Sequence, residues 1–110
     1  MKLITAADRA KLLKQGANQS RDNKPVIKLF TPWGRATWLI SEIDPQSPDH
    51  MFGLCDLGMG CPEMGWVSLS ELTSVRGPFG LTIERDLHWS ADKTLVEYAD
   101  EARNAGRIKA

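Results

Sequence analysis

Four carboxylates are the first residues in this chain whose types and spacing could carry chemistry. Glu84 and Asp86 stand two positions apart, and side chains on a strand repeat every two residues, so a strand here points both to one face. Asp56 closes an apolar stretch, and Glu63 follows in a glycine-rich segment. Oxygens of this kind, brought together, would hold Mg²⁺ and support phosphodiester hydrolysis. Asp56, Glu84 and Asp86 are therefore the candidate catalytic residues. Against this, no lysine accompanies Glu84 and Asp86 as a common nuclease motif would place it. Arg85 and its basic neighbours can neutralise them instead, and a structural salt bridge is the favoured reading.

His50, Cys55, Cys61 and His88 are the only residues of their kinds in the chain. Zinc ligands arrive in close pairs, whereas five residues separate the two cysteines and each histidine stands alone. Cys55 falls in an apolar strand, where a buried inert thiol is expected. Cys61, in a loop, is the more reactive of the two. Neither a metal nor a cofactor is expected.

The segment 58–65 has glycine at 58, 60 and 65. It lacks the Gly-Lys-Ser/Thr of a phosphate-binding loop, so its glycines read as positions with backbone angles closed to other residues. Met59 and Met64 make the same loop an adaptable recognition surface. Of the four tryptophans, Trp38 and Trp66 are expected in the core and Trp89 over the sheet edge. Trp33, in a turn beside Arg35, has the composition of an interface hot spot; the alternative is that it folds back over its own hairpin. The candidate binding residues are Trp33, Arg35, Met59, Cys61, Glu63 and Met64.

The elements that must position these residues follow from local signals. Thr5 with Asp8 opens a helix that Gly16 should stop. Residues 26–30 and 36–43 read as a hairpin around Pro32-Trp33-Gly34, with Trp38 and Ile40 on one face of the second strand and Leu39 and Ile43 on the other. A polar loop spans 44–49, a third strand 51–57, and Trp66-Val67 form a short return strand. Ser68 and Glu71 then cap a short helix ending at Gly77, before Pro78. Residues 81–87 alternate as another strand. Thr94 with Glu97 opens a last helix, with apolar residues at helical spacing, that Gly106 ends. The expectation is one α+β domain over residues 1–110: a mainly antiparallel sheet of about five strands, with N-terminal, middle and C-terminal helices packed on one face.

Composition narrows the function classes. At 110 residues the chain has enough length for one core without disulfides. Its 42% hydrophobic and 25% charged content is that of a globular protein. Fourteen basic residues balance fourteen acidic ones. A nucleic-acid binder usually has a basic excess and a DNA mimic an acidic one, so bulk charge indicates neither. The start of the chain lacks the apolar run of a signal peptide and no stretch is long enough to span a membrane, which points to the cytoplasm.

Several runs together resemble a family: Lys28-Leu29-Phe30-Thr31-Pro32 with Thr37-Trp38-Leu39; Phe52-Gly53-Leu54-Cys55-Asp56-Leu57-Gly58; Pro62-Glu63-Met64-Gly65; Ser68-Leu69-Ser70-Glu71-Leu72; and Glu84-Arg85-Asp86. The resemblance extends from Leu3 to Ile108 and is to an uncharacterised bacterial domain-of-unknown-function family often carried by plasmids, integrative elements and phages. It implies a mobile-element setting and supplies no catalytic residues. Accessory proteins of such elements often block host defences, of the restriction or CRISPR type. The leading expectation is therefore a non-enzymatic module that binds a protein partner, such as a host defence complex, and acts by occlusion. Two alternatives stand beside it. One is a metal-dependent hydrolase using the carboxylates. The other is a nucleic-acid accessory protein using Lys14, Arg21 and Lys24, or Arg103, Arg107 and Lys109.

Overall fold

The computed structural model describes residues 2–18 and 22–110. Their order is helix α1 (Ala6–Ala17), strands β1 (Ile27–Phe30), β2 (Thr37–Asp44), β3 (Ser47–Asp56) and β4 (Glu63–Ser68), helix α2 (Leu69–Ser74), a 3₁₀ turn (Pro78–Gly80), strand β5 (Glu84–Arg85) and helix α3 (Leu95–Ala105). The strands form one antiparallel sheet in the order β4-β3-β2-β1-β5. This is the expected α+β architecture, with its three helices in the expected places.

The helices differ from expectation in their layering. Trp38 and Ile40 of β2 pack with Leu12 of α1 and Leu72 of α2. Leu39, pointing the other way, packs with Leu95, Tyr98, Ala99 and Ala102 of α3. The sheet is therefore covered on both faces, and β2 reads as a nearly continuous apolar run for that reason. Ile43 joins Trp38 and Ile40 rather than Leu39, because a register shift between Ile40 and Glu42 adds one residue and inverts the alternation beyond it. Leu12, Leu29, Leu39, Ile40, Ile43, Met51, Leu54 and Leu95 are fully buried, each stabilising the fold by roughly 1.5–3 kcal/mol.

Local signals account for the helix starts. Thr5 with Asp8, and Thr94 with Glu97, form reciprocal capping boxes. Ser68 accepts a hydrogen bond from the Glu71 amide. Gly106 ends α3 in the left-handed conformation at φ 76°. Gly16, by contrast, does not end α1, which continues to Ala17. A Cβ there would lie 1.8 Å from the Ile43 carbonyl oxygen, so glycine serves the close approach of helix to strand. Helix α2 stops at Ser74, short of Gly77.

The remaining corrections concern strands. Residues 47–50 belong to β3, so a tight β2–β3 connection replaces the expected polar loop. Glu63, Met64 and Gly65 belong to β4 rather than to an irregular loop. Only Glu84 and Arg85 of 81–87 pair as a strand. No helix among the described residues is long and apolar enough to cross a membrane.

Candidate functional site

The register decides what the carboxylates can do. Asp56 pairs with Thr37, Thr37 with Phe30, and Phe30 with Glu84. Asp56 and Glu84 therefore share one row and one face of the sheet, but two strands lie between them. Three inter-strand spacings amount to about 14 Å, too far to share one cation. Glu63 pairs with Cys55 on the opposite face. Among the described residues no group of three His, Cys, Asp or Glu side chains is placed to hold a metal ion.

Asp56 instead has a structural task. It is buried, and its Oδ1 accepts from the Gly58 amide at 2.8 Å while Oδ2 accepts from the Ile108 amide at 2.9 Å. One side chain thus ties the glycine loop to the segment after α3. Asp86 accepts from the His88 amide. Arg85 pairs with neither neighbouring acid. It points to the other face, donates to the carbonyls of Lys2 and Leu3 at 3.0 and 2.8 Å, and lies 3.9 Å from Asp8.

The thiols and imidazoles are dispersed. His50 and Cys55 fall on opposite faces of β3, since five positions separate them along a regularly paired stretch. His88 lies beyond β5 at the far edge. Burial raises the Cys55 thiol to about 11, so it stays protonated and inert at neutral pH. Cys61 is exposed.

The candidate binding residues divide by exposure. Met59, Cys61, Glu63, Met64 and Arg35 are exposed. Trp33 is half-buried against the α1-side core. A Cβ on Gly77 would lie 2.3 Å from the Trp33 ring, so this tryptophan also covers the Gly77 backbone. Trp38 is buried and Trp89 packs on the α3-side core, 6.0 Å from the Tyr98 ring. Trp66 corrects the expectation of a core residue: it is 52% exposed. It sits on β4, an edge strand with no partner on its outer side among the described residues, and its ring meets half-buried Phe52 edge-on at 5.2 Å.

Met64 and Trp66 alternate onto the same face of β4, and exposed Leu57 and Met59 lie in the loop leading into the strand. Within that loop, Gly58 and Gly60 have φ of 81° and 80°, as expected, whereas Gly65 is extended strand. A six-residue edge with two large apolar side chains on one face is a template for strand pairing. Sequence reasoning also passed over Phe79, which is fully exposed at the tip of the 3₁₀ turn with φ 58°. The Pro-Phe-Gly run signals a turn but not the outward ring. Of the basic residues considered for nucleic acid, Arg103 pairs with Asp100 at 3.1 Å, Lys14, Lys24 and Lys109 are exposed, and Arg21 lies outside the described residues.

No curated protein and no solved structure gives a match to this chain. The family model described as "Protein of unknown function (DUF2958)" matches residues 3–109. A family of that description adds no activity to the geometry, but the match covers every strand and helix above, and the chain belongs to the DUF2958 family.

Proposed function

We propose that this protein is a non-enzymatic protein-binding module that docks through the open edge of β4. The observation that supports the reading is Trp66, half-exposed beside Met64 on an unpartnered edge strand. Strand addition obtains affinity from main-chain hydrogen bonds and specificity from alternate side chains. Trp66 is the natural anchor, since tryptophan is enriched in binding hot spots. Met59 and Cys61 in the preceding loop, with Glu63 on the other face of the strand, border the same surface. The carboxylates of Asp56 and Glu84 are held apart, which favours occlusion over catalysis. The resemblance to an uncharacterised family often carried by plasmids, integrative elements and phages suggests the partner class: a host defence complex, of the restriction or CRISPR type, blocked by occlusion.

The test is co-purification of the tagged chain from a natural host lysate, with Trp66→Glu in parallel. A stoichiometric protein retained by the wild type and lost from the folded variant supports the reading. Equal retention by both, or no partner at all, overturns docking at β4.

A further inference from the structure

The cavity of about 660 Å³ between the β1–β2 turn, the glycine loop and the turn after α3 is lined by Arg35, Thr37, Asp56, Gly58, Gly60 and Arg107, among others. Its walls come from segments far apart in the chain, and Asp56 joins two of them by accepting the Gly58 and Ile108 amides. The third wall abuts the loop directly: a Cβ on Gly58 would lie 3.0 Å from Arg35 Cβ. The cavity is thus a fixed part of the fold.

Its chemistry is set by the arginines. Arg76 and Arg103 each engage a carbonyl or carboxylate, and Arg85 engages both. The Arg35 and Arg107 side chains have no hydrogen-bond or ion-pair partner among the described residues. Both are exposed at the cavity. The Thr37 hydroxyl is likewise unengaged. The carboxylate of Asp56 is nearly inaccessible at 3% residue exposure and each of its oxygens already accepts an amide proton. The groups free to meet a ligand are therefore two guanidiniums and a hydroxyl, the set that recognises phosphate through charge-assisted, forked hydrogen bonds. The volume lies in the range of small-molecule sites.

We propose that this cavity binds a phosphate group, free or carried on a ligand of up to mononucleotide size. Arg35 and Arg107 clamp the phosphate oxygens, and Thr37 donates to them from the end of β2. Asp56 is a positioning residue that keeps the loop and tail walls in place. This site shares the glycine loop with the docking surface but uses neither Trp66 nor Met64, so its failure leaves the docking reading at the β4 edge untouched.

The experiment is calorimetric titration of the full chain with inorganic phosphate, with adenosine 5′-monophosphate and with adenosine, at matched ionic strength. Wild type is compared with Arg35→Gln, Arg107→Gln and the double variant. Saturable binding of a phosphate-bearing probe is expected, weakened about ten-fold or more by each substitution and absent for adenosine. Tighter binding of the nucleotide than of inorganic phosphate identifies a carried phosphate; the reverse order identifies a free one. Both arginines are exposed, so unliganded variants should melt as the wild type does. No saturation up to about 10 mM, where a millimolar site would be largely filled, overturns the proposal. So does binding that the double variant retains in full.

Discussion

At one edge of the sheet, β5 offers two residues to β1, and Arg85 reaches across to the carbonyls of Lys2 and Leu3 and to Asp8. At the other edge, β4 offers six residues, and Trp66 and Met64 stand on it in solvent. Natural sheets blunt their edges with short strands, charges or covering segments. The β5 edge carries all three devices: it is short, it bears a charge, and the residues before α1 are fastened to it. The β4 edge carries an outward Glu63 and little else. The two margins therefore differ: one is closed by the fold, the other is left open.

Substitutions should separate the two margins. The largest effect on stability is expected at the closed edge. Arg85→Ala removes two hydrogen bonds to carbonyls and an ion pair from a mostly buried side chain, and should lower unfolding free energy by about 3 kcal/mol, read by chemical denaturation. A loss below about 1 kcal/mol would make β5 as dispensable as the open edge. Trp66→Ala inverts the pattern. It should weaken partner binding by about 2 kcal/mol or more, while stability falls by only about 1 kcal/mol through the lost Phe52 contact. A variant that unfolds instead would show Trp66 to be structural.

The smallest effect concerns the thiols on either side of the turn into β4. Burial raises the Cys55 thiol from 9.0 to about 11, so alkylation of the native chain at neutral pH should label Cys61 and spare Cys55. The sign for stability follows. The folded chain holds the Cys55 proton more tightly than the unfolded chain does, so this contribution is complete below pH 9 and declines as pH rises toward 11. Equal labelling of both cysteines in native protein would mean that β3 opens readily along this margin.

What was legible in the sequence was local. Thr5 with Asp8, Thr94 with Glu97, and Gly106 announce helix ends because a cap is made by residues within four positions. Burial at Trp66 was illegible because it depends on strand order: the same Trp-Val pair in a central strand would be covered. Gly16 resembles a helix stop, but its reason for being glycine is the Ile43 carbonyl on another element. The extra residue near Ser41 has no sequence signature, so plain alternation places Ile43 with Leu39 rather than with Trp38 and Ile40. Of the phosphate cavity, Arg35 was legible as a turn residue suited to binding. Arg107 reads as a terminal charge, because contacts distant in the chain bring that segment to the sheet: the Ile108 amide bonds Asp56, 52 residues away, and Ile108 packs with Leu39 and Leu54.

The β5 edge also has a kinetic meaning. Strands β2, β3 and β4 form a meander of neighbouring hairpins, whose closure costs little chain entropy. Arg85 meets the Lys2 carbonyl across 83 residues, and contacts of such separation form slowly. The meander should assemble first, and the Arg85 clasp should close last. Until it does, the growing sheet has two free margins rather than one, and the chain is most prone to self-association in that interval.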